Sequence, residues 1–93
     1  MEFSREPTGA RVGIMRTEIY SDEHRKLREI LKRERAASGL RQSDVATRTG
    51  RSQAYISKFE TGDLRLDVVD FVRLCRTIGC DPHAVLDEIF ADQ

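Results

Sequence analysis

Residues 41–62 read RQSDVATRTGRSQAYISKFETG, which contains two short helical patterns separated by one glycine. In the first pattern, Val45 and Ala46 are apolar between polar neighbours, which predicts about two helical turns over residues 42–49. Gly50 then suits a position of positive φ, where a helix ends and the chain turns. Because position 46 holds a small residue, a second helix can cross the first at close range.

The second pattern begins at Ser52, a favourable N-cap residue, and ends at Gly62. Ile56 and Phe59 lie three residues apart and supply its buried stripe. Together the two patterns predict a helix-turn-helix, with residues 52–61 as the second helix.

The outward face of this second helix carries short or hydrogen-bonding side chains on a ridge about as wide as a major groove. The candidate base-contacting residues are Gln53, Ala54, Tyr55, Ser57 and Lys58. The candidate phosphate-contacting residues around the helix are Gln42, Arg51, Ser52 and Arg65. The pattern therefore predicts a base-reading surface flanked by phosphate contacts.

The spacing of Gln42, Ala46, Gly50 and Ile56, followed by SKFETG, resembles the XRE family of Cro- and phage-repressor-type helix-turn-helix proteins. The resemblance covers about residues 24–80. It implies an all-α fold, a five-helix lambda-repressor-like DNA-binding domain. It also implies a sequence-specific transcriptional regulator, most simply a repressor.

Two residues depart from the family pattern. Arg41 occupies the N-cap position where the family usually carries Thr or Ser, and Thr49 occupies a position that is usually apolar. We therefore expect the first helix of the motif to be marginally less stable than is typical.

The resemblance also implies an ion pair between Arg35 and Glu60. An acid at the C-terminal end of a helix is unfavourably placed against the helix dipole unless a cation lies beside it. The alternative is that the two residues are independent surface charges.

The composition suits one small domain: the chain has 93 residues, of which 39% are hydrophobic. No apolar run approaches the ~20 residues of a membrane span, and the N-terminus lacks the apolar core of a signal peptide. We therefore expect a cytoplasmic protein. The five-residue spacing of Cys75 and Cys80 at a helix end predicts side chains that point in different directions, as reduced structural thiols.

The net charge of zero conceals a strong segregation along the chain. Residues 24–65 carry eleven Lys or Arg against five acids, net +6, whereas residues 1–23 carry net −2 and residues 66–93 net −4. Phosphate binding acts locally, over a Debye length of about 8 Å at physiological salt. The basic middle segment thus favours nucleic-acid binding, although a solvated basic face of a helix bundle is the alternative.

Residues 1–20 mix proline and glycine with scattered charges and show no helical period, which predicts a partly disordered N-terminal arm. Its second half is either a loose tail or a strand-like arm that reaches a minor groove through Arg11 and Arg16. The helix-turn-helix domain is expected to span residues 21–93.

Three further helices are predicted around the motif. The first begins at Ser21, the fourth at Asp67, and the fifth at Asp81 followed by Pro82. The predicted buried stripes of the first and fourth helices are Leu27, Ile30, Leu31 and Ala37, and Val68, Phe71, Val72, Cys75 and Ile78. The fifth helix carries an apolar stripe of Val85, Leu86, Ile89 and Phe90, one side of which is expected to close the domain while the rest is available to a partner. The exposed cations of the first helix, which are Arg25, Lys26, Arg28, Lys32 and Arg33, are interpreted as solubilising charges.

No catalytic, cofactor or metal site is predicted. Among Cys75, Cys80, His83 and His24 the only short pair is Cys80 with His83, and no CxxC motif occurs. Neither a nucleophile elbow nor a glycine-rich phosphate motif occurs. The sequence therefore predicts a binding protein and not an enzyme.

Three classes of function remain open, with double-stranded DNA as the expected partner in the first two. The first is a DNA-binding regulator. The second is an antitoxin or phage-switch protein that also binds a partner protein, such as a toxin, through the acidic C-terminal part. The third is an interaction module that no longer binds DNA, against which the basic middle segment argues.

A homodimer is expected, because one recognition helix reads too few base pairs to select a site in a genome. The apolar residues most available for pairing are Val85, Leu86, Ile89 and Phe90. The competing surface is the N-terminal arm around Val12 and Ile14.

Overall fold

The computed structural model describes residues 21–91, whose regular structure is entirely helical. The five helices are α1 (Asp22–Ala37), α2 (Gln42–Thr49), α3 (Gln53–Thr61), α4 (Val68–Ile78) and α5 (Pro82–Ile89). This architecture confirms the all-α, five-helix prediction, whereas the predicted arm over residues 1–20 lies outside the described residues. No helix within residues 21–91 is long and apolar enough to cross a membrane.

Four of the five helices begin at a side chain that accepts a backbone N–H of the first turn. These N-cap residues are Ser21, Ser52, Asp67 and Asp81. At the start of α2, Arg41 has no acceptor, but the Asp44 carboxylate accepts the Arg41 N–H at 2.8 Å and its guanidinium at 3.1 Å. The Arg41 side chain accordingly holds the pKa of Asp44 below its usual range. The unfavourable N-cap residue of α2 is thus compensated within the first turn.

α1 packs against α3, α4 and α5, and α2 packs against α3 and α4. The core lies between these helices. Its buried side chains are Ile30, Leu31, Val45, Ala46, Ile56, Phe59, Phe71, Leu74, Cys75, Ile78, Val85 and Ile89. The half-buried hydroxyl of Thr49 donates to the Val45 carbonyl at 2.8 Å, so a polar residue is accommodated where the family favours an apolar one.

Two predicted core positions are wrong. Ala37 is exposed because α1 ends there, and the turn at Gly39 brings Leu40 back against the core instead. Val68 is 75% exposed at the first position of α4, whereas Leu74, which was absent from the predicted stripe, is buried. The buried stripe of α4 therefore begins one turn later than predicted.

The prediction that the Cys75 and Cys80 side chains point in different directions is also wrong. Gly79 adopts φ +95°, and the Cys80 N–H donates to the Cys75 carbonyl at 2.9 Å, as in a Schellman helix end. This turn brings the two thiols together. Burial, with a smaller effect of the neighbouring Cys80, raises the pKa of Cys75 to about 12. Both residues are free thiols.

Two arginines of α1 join this helix to others. Arg35 Nε and Nη2 donate to the two carboxylate oxygens of Glu60, at the C-terminal end of α3, at 2.6 and 3.0 Å. Arg35 Nη1 also donates to the Leu40 carbonyl at 2.8 Å. Arg33, which was interpreted as a solubilising charge, donates to both oxygens of Glu88 in α5 at 2.8 and 3.0 Å. The Glu60 side chain is 5% exposed and that of Glu88 is 48% exposed, so only the first pair is buried.

We predict that Arg35→Ala lowers the free energy of unfolding more than Arg33→Ala. The first variant leaves the Glu60 carboxylate buried without its cation, and removing one partner of a buried pair costs about 3 to 5 kcal/mol. The second variant removes an ion pair that water screens. Thermal unfolding of both variants checks this, and equal melting temperatures would show that burial of the Arg35 pair contributes nothing extra.

Candidate nucleic-acid interface

α3 is anchored from the core side and open on the other. Ile56 and Phe59 are no more than 2% exposed, and the Ser52 hydroxyl caps the helix by accepting the Tyr55 N–H at 3.1 Å. Among the predicted base-contacting residues, Gln53, Ala54 and Lys58 are exposed, while Tyr55 and Ser57 are half-buried. α3 therefore packs firmly against the core on one side and presents amide, methyl and ammonium groups to solvent on the other.

A chain of hydrogen bonds runs from the buried ion pair to the first turn of α3. Gln42 Nε2 donates to Glu60 Oε1 at 2.9 Å, and Gln53 Nε2 donates to Gln42 Oε1 at 3.4 Å. The Glu60 carboxylate is itself held by Arg35. The structure thus brings together Gln42, a predicted phosphate-contacting residue, and Gln53, a predicted base-contacting residue, and orients both from inside the fold.

Arg51, just before α3, is held by Asp70 of α4. Arg51 Nη2 donates to both Asp70 carboxylate oxygens at 2.8 Å, and the Tyr55 hydroxyl donates to Asp70 Oδ2 at 2.9 Å. The Arg51 guanidinium carbon lies 4.6 Å from the centroid of the Tyr55 ring. Hydrogen bonds from Arg51 and Tyr55 hold the pKa of Asp70 below its usual range. Two predicted contact residues therefore share one carboxylate.

Arg65 belongs to a basic group beyond the C-terminal end of α3. Burial, together with the charges of Arg28 and Arg65, lowers the pKa of His24. Arg28 Nη1 lies 3.1 Å from His24 Nδ1, which accepts this hydrogen bond when the ring is neutral. The Arg28 guanidinium also packs on Gly62, where a Cβ would meet it at 3.1 Å and φ is +93°. Close approach and positive φ both favour glycine at this position.

Sequence reasoning missed Asp70 and Arg28 as parts of this surface. Asp70 lies 19 residues after Arg51 and on another helix, so no local spacing connects the two. Arg28 falls on the exposed face of α1, where a cation is usually a solubilising charge. The contact of Arg28 with Gly62 depends on how α1 and α3 pack, which the sequence pattern does not specify.

The exposed side chains of α3 and its N-cap include an amide, a hydroxyl and an ammonium group, which suit phosphate oxygens and base edges. Over residues 21–91 no cluster of three or more His, Cys, Asp or Glu is arranged to hold a metal ion.

The chain matches both a family model and solved structures of known proteins. Residues 26–88 match a family model described as a helix-turn-helix domain. Solved structures similar to the chain include an XRE-family like protein from Pseudomonas syringae pv. tomato str. DC3000, with 36% sequence identity and a TM-score of 0.73. This match covers 90% of the present chain and 96% of the other. A comparison with curated proteins gives no match.

Proposed function

The chain belongs to the XRE family of helix-turn-helix proteins and is a DNA-binding regulator. We propose that it is a sequence-specific transcriptional repressor that reads the major groove with α3. The observation that carries the proposal is the fixed orientation of α3. The buried ion pair and Gln42 hold this helix from the core side, while Gln53, whose amide donates to Gln42, and Lys58 stay exposed on its outward face.

The proposed contacts divide into two kinds. Base edges are contacted by Gln53, Ala54, Tyr55, Ser57 and Lys58, and phosphates by Gln42, Arg51, Ser52 and Arg65. We propose that the region from residue 21 onward acts as the DNA-binding domain, and that the protein acts in the cytoplasm by binding rather than by catalysis. Selection of bound sequences from random duplex DNA tests this function. Recovery of no preferred sequence would contradict sequence-specific regulation.

We further propose that the working unit is a homodimer whose recognition helices lie about 34 Å apart on a nearly palindromic operator. Of the four apolar residues expected to pair, Val85 and Ile89 are buried in the core, which removes them from the surface. Leu86 is 45% exposed on α5, and Phe90, the C-cap residue of α5, is 51% exposed; both support pairing through this end of the domain.

A second candidate function is an antitoxin or phage-switch protein that binds DNA and also a partner protein. The supporting observation is that Val68 and Val69 are 75% and 58% exposed at the start of α4, so that exposed apolar surface extends from Leu86 across the groove that Leu86 shares with Val68. These residues lie within the acidic segment 66–93. A partner for this surface would be apolar and basic.

We predict that Arg65→Ala weakens binding to all duplexes about equally and flattens the dependence of affinity on salt. Each phosphate neutralised contributes about −0.9 to the slope of log affinity against log salt. The matched control is Arg76→Ala, which removes the same charge from α4, where Arg76 lines a groove with Pro82 and Leu86. A slope that stays at the wild-type value would remove Arg65 from the phosphate contacts.

Gln53→Ala and Lys58→Ala should instead change sequence preference. Glutamine contacts adenine bidentately and lysine donates to guanine O6 and N7, and each such contact discriminates by about 1 to 3 kcal/mol. Binding to the selected operator and to single-base variants of it measures this. If either variant weakens every duplex by the same factor, the residue does not read bases.

Phe90→Asp should abolish dimerisation without unfolding the protein, because the side chain is 51% exposed. Val69→Asp is the control, since Val69 is 58% exposed on a different helix. Sedimentation at several concentrations, with and without operator, gives the association state. A wild type that stays monomeric on its operator would exclude the dimer, and a normally dimeric Phe90→Asp protein would move the interface away from α5.

A further inference from the structure

Asp70 is an acid beside the predicted DNA-binding surface, and no local sequence pattern indicates an acid there. It lies in the first turn of α4, and its side chain is 13% exposed. Three hydrogen bonds reach its carboxylate, two from Arg51 at 2.8 Å and one from the Tyr55 hydroxyl at 2.9 Å. The acid therefore joins the residue that precedes α3 to a residue in its first turn.

Arg51 keeps donors available while it is held in this way. Only Nη2 donates to Asp70, so the Nε hydrogen and both Nη1 hydrogens have no hydrogen-bond partner within residues 21–91. The guanidinium is fixed against the Tyr55 ring, and the Arg51 side chain remains 42% exposed. A guanidinium held at one nitrogen and open at the other two can bind a second anion without leaving the first.

We propose that Asp70 is a positioning residue for DNA binding: it fixes Arg51 against Tyr55 beside the N-terminus of α3, so that the open N–H groups of Arg51 bind one backbone phosphate. This inference rests on the proposed DNA-binding function. It assigns to an acid the role of strengthening binding to a polyanion.

Two effects of Asp70 on DNA affinity have opposite signs, which makes the proposal testable. Its negative charge repels phosphates, so removal of the charge alone tightens binding. Its hydrogen bonds with Arg51 order the Arg51 side chain before DNA binds. Without them the side chain would have to be ordered on binding, which weakens affinity by about two- to tenfold for one long side chain. The second effect requires Arg51, and the first does not.

A double-mutant cycle separates the two effects. The affinity for one selected operator duplex is measured for the wild type, Asp70→Ala, Arg51→Ala and the double variant. We expect Asp70→Ala to weaken binding two- to tenfold when Arg51 is present, and to leave binding unchanged or tighter when Arg51 is replaced. Equal factors in both backgrounds would overturn the positioning role.

The controls distinguish this role from a general effect on the fold. Glu88→Ala removes the carboxylate of the exposed Arg33 pair between α1 and α5, and it should leave operator affinity unchanged. Asp70→Asn keeps the shape and one oxygen acceptor, and it should weaken binding less than Asp70→Ala. If Asp70→Ala unfolds, the same cycle is run with Asp70→Asn, and equal factors there also overturn the proposal. A wild type that binds no duplex overturns the proposed function and this role together, whereas normal wild-type binding with an uncoupled cycle overturns this role alone.

Discussion

Glu60 places a carboxylate at the C-terminal end of α3, where the helix dipole disfavours an anion and only 5% of the side chain is exposed. Arg35 supplies two N–H donors to this carboxylate and Gln42 supplies a third. A buried charge that loses its partner is strongly destabilising, so a conformation in which the Glu60 carboxylate loses these donors is unfavourable. Arg35 belongs to α1 and Gln42 to α2, so one carboxylate fixes three helices. The orientation of α3 toward solvent follows from this constraint.

Each end of α3 is joined to an arginine–carboxylate pair, and burial separates their roles. Around Glu60, the Arg35 side chain is 14% exposed and all three of its donor nitrogens are used inside the fold. Around Asp70, the Arg51 side chain is 42% exposed and two of its nitrogens are not used by the described residues. The first pair therefore stabilises the fold, and the second presents a cation to solvent.

The sequence predicted features that depend on neighbouring residues. The caps at Ser52 and Asp67 and the helix end at Gly50 follow from local backbone requirements, so they were predictable. The contact between Cys75 and Cys80 was also predictable in principle, because a glycine between them closes a Schellman turn. That prediction failed because helical periodicity was extended past the end of the helix.

Contacts between distant helices were not predictable from spacing. Asp70 reaches Arg51 and Tyr55 only because α4 crosses the start of α3, and one sequence contains no signal for that crossing. Val68 was misplaced for a related reason. Apolar periodicity gives the period of a stripe, but which turn first meets the core depends on the neighbouring helices.

The formal charge of the basic segment overstates the positive charge that the folded domain presents to DNA. Residues 24–65 carry a formal net charge of +6, but several of their arginines are paired with acids. The paired residues are Arg25, Arg33, Arg35, Arg41 and Arg51. Asp70 and Glu88, which supply two of the partners, lie outside the basic segment and are not counted in its +6, so these two pairs lower its effective charge. The field that a DNA backbone meets therefore depends on the few cations nearest to α3, such as the exposed Lys58, more than on the formal total.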